Sequence, residues 1–105
     1  MDKAFKVESA ITEIRLILSV RLRLMREQRK AFMDDLRSKE LEREVYDRES
    51  KSHVKETERE YMNFLKETVQ RASDKYKISY DHLLKVGGWD WTIKRLENGQ
   101  DDRDI

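Results

Sequence analysis

The stretch AFKVESAITEIRLILSVRLRLMREQRKAF, residues 4–32, decides the fold class. Ala4, Ile11, Leu18, Met25 and Phe32 recur every seven residues, with Ala10, Ile17, Leu24 and Ala31 beside them at the same spacing. Val7 and Ile14 widen the stripe at its start, and Arg21 and Gln28 continue their series, so the seam narrows towards a coiled-coil-like one. Apolar residues at this period share one face of an α-helix and share no face of a strand. The chain has no proline, and its three glycines, Gly87, Gly88 and Gly99, all lie near the end, so residues 1–86 lack the two strongest helix breakers. A long amphipathic helix follows, and its stripe needs a covering surface. Ile11, Ile14, Leu18, Met25 and Phe32 are the expected contact residues of a homodimer seam.

Beyond this stretch the apolar residues thin to Leu41, Val45, Tyr46 and Val54. Acid-to-base pairs at four-residue spacing appear instead, as Asp35/Lys39, Glu44/Arg48 and Asp47/Lys51, which support a solvated helix. Ser50, Ser52 and His53 mark the expected turn or kink, because serine competes with the helical backbone for hydrogen bonds. Helical periodicity resumes in Val54, Tyr61, Leu65, Val69, Ala72 and Tyr76, predicting a second helix over 53–76. Residues 1–76 therefore read as one long helical, oligomerising region.

Residues 77–99 read as two short helices. Ser79 is placed to cap a helix over 80–86, Gly87 and Gly88 to end it, and Asp90 to cap a last helix closed by Gly99. Residues 100–105 carry three aspartates and no packing pattern, which predicts a frayed tail. The fold class is all-α: long amphipathic helices as a hairpin or coiled-coil-like bundle, followed by two short C-terminal helices.

Composition agrees. Ala, Glu, Lys, Leu and Arg make up 49 of the 105 residues, and charged residues reach 43%, against about 25% in ordinary globular domains. Cysteine is absent, which removes disulfides and thiolate chemistry. The longest uncharged run in the most apolar stretch is Leu16 to Val20, too short to span a membrane or form a signal core. The location expected on these grounds is cytoplasmic, with no membrane partner. Net charge is +1, yet residues 15–30 carry a local +5 and residues 40–60 a local −3, a distribution that favours antiparallel pairing.

No constellation of reactive side chains emerges. His53 reads as a solvated histidine on a polar helix, and His82, beside Asp81, has no nucleophile near it. No glutamate precedes a histidine by three residues, as helical di-metal sites require, and Gly87-Gly88 is followed by Trp89-Asp90 rather than a phosphate-binding basic residue. The expectation is a protein with no catalytic site, metal or cofactor. Trp89 and Trp91 cannot face the same side of one helix, so one is expected to pack inward and the other to be presented. With Lys94 and Arg95 they are the candidate partner-binding residues.

The function these features imply is a non-enzymatic helical interaction protein, a homodimer that binds and modulates a larger macromolecular complex. The alternative is a small DNA-binding transcriptional or nucleoid regulator using the C-terminal helices or the basic first helix.

Overall fold

The computed structural model describes residues 3–103, with side chains described over 3–98. Four α-helices follow one another: α1 (Lys3–Ser38), α2 (Arg43–Tyr76), α3 (Tyr80–Gly87) and α4 (Trp89–Arg103). α1 and α2 form an antiparallel hairpin, and α3 and α4 fold back onto its open end. The radius of gyration is 17.2 Å, against about 13 Å for a compact domain of this length, and the long dimension reaches 60 Å. The hairpin sets that length.

The chain reverses at residues 39–42, not near 50–53. Ser50, Ser52 and His53 lie within α2, where the Ser50 hydroxyl donates to the Asp47 carbonyl at 3.1 Å without interrupting the helix. The reversal uses neither glycine nor proline. Glu40 takes the left-handed conformation, φ 51°, after Lys39 and Glu40 donate their N–H groups to Leu36 and Arg37. Lys77 does the same at the end of α2, φ 57°, while its N–H and that of Ile78 both reach the Ser73 carbonyl. This is the bonding of a Schellman-type end, with lysine where glycine is usual.

α3 starts as its sequence predicts. The Ser79 hydroxyl accepts the His82 N–H, and Gly88, φ 76°, closes the helix in the left-handed conformation. α4 departs from expectation at its far end, because the helix runs through Gly99 to Arg103. A single glycine lowers helix propensity by about 1 kcal/mol without forbidding the helix. The frayed tail expected from residue 100 is thus helical backbone through Arg103, while 104–105 lie outside the described residues.

One core holds the four helices together. Ala10, Ile11, Ile14 and Leu18 of α1 meet Leu65, Val69 and Ala72 of α2, Ile78 of the connection, Leu83 of α3, and Trp89 and Ile93 of α4. Tyr61 packs against this cluster, and burial pushes its phenol up from the ordinary tyrosine value. At the rim, Lys75 donates to the Glu13 carboxylate at 2.6 Å, a bond and charge pairing that hold the Lys75 ammonium above its ordinary value. Among the described residues, none of the helices is long and apolar enough to cross a membrane.

Which α1 residues face the core follows from helix geometry. A straight α-helix drifts about 20° per heptad relative to a strict seven-residue repeat. The Ala10, Ile17, Leu24, Ala31 series therefore rotates outward: Ala10 is fully buried, and the other three are exposed. The Arg15, Leu22, Arg29, Leu36 series rotates inward, from exposed Arg15 through half-buried Leu22 and Arg29 to buried Leu36. The drift leaves Leu16, Ile17, Val20 and Leu24 as an exposed apolar arc on the first half of α1.

Candidate interaction surfaces

Two tryptophans two residues apart point in opposite directions, because 200° separates them on a helix of 100° per residue. Trp89 is only 8% exposed and belongs to the core. Its ring lies so close to Gly87 that a Cβ there would collide with it, which is why glycine occupies the last position of α3. Trp89 is thus an anchor, and its expected role in partner binding is corrected. Trp91 is 66% exposed.

The face around Trp91 is fixed from behind. Ile93 is buried, Leu96 half-buried, and Lys66 of α2 pairs with Glu97 of α4 at 3.4 Å. The Asp90 carboxylate accepts the Trp91 N–H at 2.8 Å in the first turn. On the outward side, the Arg95 guanidinium stands 5.5 Å from the Trp91 ring centroid, a cation–π contact one turn along the helix. Lys94 is exposed beside it. Trp91, Lys94 and Arg95 are therefore gathered on the solvent face of α4, as expected, while Trp89 is not with them.

The expected oligomer seam lies elsewhere than foreseen. Ile11, Ile14 and Leu18 are enclosed by the chain's own α2, α3 and α4, and Met25 and Phe32 are half-buried along the hairpin. The physical reason is the turn at 39–42, which delivers α2 to the same stripe that a second copy would have covered. The antiparallel pairing expected from charge is found, within one chain: Arg21 sits 4.9 Å over the Phe64 ring and Arg29 reaches Thr57.

His53 also departs from expectation. It is half-buried rather than solvated, stacked nearly parallel on Phe32 at 3.9 Å between centroids. Nearby, the Arg29 guanidinium donates to the Thr57 hydroxyl at 2.6 Å, and that hydroxyl donates to the Val54 carbonyl at 3.0 Å. Arg29 Nε and His53 Nε2 are buried with no hydrogen-bond partner. Neither residue was expected to be enclosed, and the signal was available: Arg29 lies on the series that helix drift turns inward. His82 is exposed at the edge of an open groove between α3 and the start of α1, lined also by Val7, Ile11 and Val86. Among the described residues no three His, Asp or Glu side chains converge as a metal site would require.

Compared with protein-family models, curated proteins and solved structures, the chain matches none of them.

Proposed function

We propose that this chain is a non-enzymatic helical interaction protein that binds a larger macromolecular complex through the Trp91 face of α4 and modulates it. The observation that carries the reading is Trp91 itself, 66% exposed on a helix held rigid by its buried neighbours Trp89 and Ile93. Tryptophan and arginine dominate binding hot spots, and a side chain already fixed by its scaffold loses little entropy on docking. Self-association belongs to the same proposal. Once Ile11, Ile14 and Leu18 are enclosed, Leu16, Ile17, Val20 and Leu24 are the apolar surface left on α1 for a second copy.

Affinity capture with wild-type protein and with Trp91→Ala, followed by titration calorimetry on the captured partner, tests the first part. The expected result is a loss of at least about 30-fold in affinity, the equivalent of 2 kcal/mol for a hot spot, with helicity and melting unchanged. Equal affinity for both proteins would overturn it. Light-scattering mass over a concentration series tests the second part, and a constant 12.8 kDa would overturn it.

A further inference from the structure

α2 carries a row of four exposed cations, Arg48, Lys51, Lys55 and Arg59. Spacings of three, four and four residues place them in an arc about 80° wide, running about 16 Å along the helix. With Ser52 and Glu56 they line a shallow depression on the solvent side of the hairpin. The surrounding segment is acidic overall, so the collection of cations on one arc is a property of the helical arrangement and not of local composition.

Carboxylates stand at helical spacing to neutralise this row and do not. Glu44 precedes Arg48 by four residues, and Asp47 precedes Lys51 by four, but Asp47 turns to Arg43 at 4.0 Å. Among the described residues Arg48, Lys51 and Arg59 have no ion-pair partner, whereas Asp35–Lys39, at 3.3 Å, and Glu13–Lys75, at 2.6 Å, are formed elsewhere in the hairpin. Lys51, Lys55 and Arg59 also follow one another at four-residue spacing, an arrangement of like charges that weakens a helix.

The chemistry of the row limits what it can bind. No apolar or aromatic side chain lines it, so a protein partner finds no anchor to bury there. A linear polyanion needs none, because its contacts with Lys and Arg draw their free energy from released counterions. We infer that the row is a contact surface for the phosphodiester backbone of duplex nucleic acid. Glu56 in the lining, and exposed Glu49 and Glu60 on the adjoining arc, repel phosphate from that flank, so the backbone lies towards Lys51 and Lys55. Such contacts position a duplex without reading its bases. The surface is separate from Trp91, so the failure of either proposal leaves the other standing.

Fluorescence anisotropy with random-sequence DNA and RNA duplexes in a salt series tests the inference. Four backbone contacts predict a slope of log K against log salt near −3.6 on DNA, about −0.9 per contact. Arg48→Gln/Lys51→Gln/Arg59→Gln should make that slope shallower by about 2.7, with helicity and melting retained because all three side chains are exposed. Arg48→Lys/Arg59→Lys should keep the wild-type slope, which separates charge from any effect on folding. Arg15→Gln/Arg26→Gln/Lys30→Gln on α1 should also keep it. Absence of binding at low salt, an unchanged slope in the α2 triple variant, or an equal change in the α1 variant would each overturn the assignment.

Discussion

The two ends of the hairpin are built from one continuous apolar pattern and hold together in different ways. At the open end four helices enclose Ile14, Leu65, Leu83 and Val69 completely. Towards the turn only two helices face each other, and the stripe residues Met25 and Phe32 are half-buried. Leu36 and Thr57 are the buried side chains of that arm among the described residues. A two-helix arm has no third surface to seal its stripe, so polar groups enter the contact, as Arg29, His53 and Thr57 do. The difference teaches that burial follows from the number of neighbours an element has, and the period of the stripe alone does not fix it. It also predicts that the arm opens at lower free energy than the four-helix end, since few buried apolar contacts hold it.

The largest effect should come from charging the same helix on its two faces at one height. Leu18 is 4% exposed within the four-helix core, whereas Leu16, two residues earlier, is 65% exposed. Leu18→Asp places an uncompensated charge in an apolar site and should cost about 3–5 kcal/mol, a large part of the roughly 5–15 kcal/mol that holds a small domain together. Leu16→Asp should stay within about 0.5 kcal/mol, as surface changes usually do. Urea denaturation followed by circular dichroism measures both. Similar losses in the two variants would mean that the exposed arc of α1 is covered in solution and that the drift of the stripe is misassigned.

Much of this contrast is legible in the sequence, and the parts that are not have identifiable reasons. The stripe of α1, the second apolar series of α2, the Ser79 cap and the opposite facing of Trp89 and Trp91 follow from periodicity and capping chemistry. The hairpin turn does not, because its left-handed residue is Glu40, a residue with no turn preference, set in a run without glycine or asparagine. Ser50 and Ser52 carry a turn signal and sit in a helix, where packing along the hairpin outweighs local preference. Reading the stripe as a strict heptad puts Ile17 and Leu24 inside and leaves Arg29 and Leu36 outside. The period of 3.6 reverses both assignments. Of the interaction surfaces, Trp91, Lys94 and Arg95 are legible, whereas the cation row on α2 is hidden in the sequence by the acids interleaved with it.

A middle-sized effect should appear where the arm is least like the core. Arg29 is half-buried, its Nε has no partner, and its guanidinium bonds only to a hydroxyl that already donates to Val54. Replacing a poorly satisfied buried cation by an apolar side chain of similar length removes the desolvation penalty and leaves no new orphan, since the Thr57 hydroxyl keeps its carbonyl. Arg29→Met should therefore stabilise the protein by about 1–2 kcal/mol. Amide hydrogen exchange locates the gain: protection should rise from residue 25 to residue 57 and remain unchanged around Leu65 and Leu83. A loss of stability would mean that Arg29 is satisfied in a way the arm's geometry does not reveal.

The smallest effect concerns the turn that joins the two helices of the arm. Glu40 holds φ 51°, a conformation that costs an L-residue about 1–2 kcal/mol and glycine almost nothing. Glycine also gives the unfolded chain more freedom to lose, which offsets part of that relief. Glu40→Gly should thus stabilise the protein by about 0.5–1 kcal/mol, and Glu40→Val, whose branched Cβ tolerates this region poorly, should destabilise it by more. Both changes lie on the exposed tip and touch no core residue, so thermal melts read the turn alone. Because the reversal at 39–42 is what delivers α2 to the stripe of α1, a destabilised turn should also shift light-scattering mass upward with concentration, as the stripe becomes open to a second copy. If Glu40→Val melts as the wild type does and keeps its mass, the hairpin is held by its four-helix end alone and the turn merely follows.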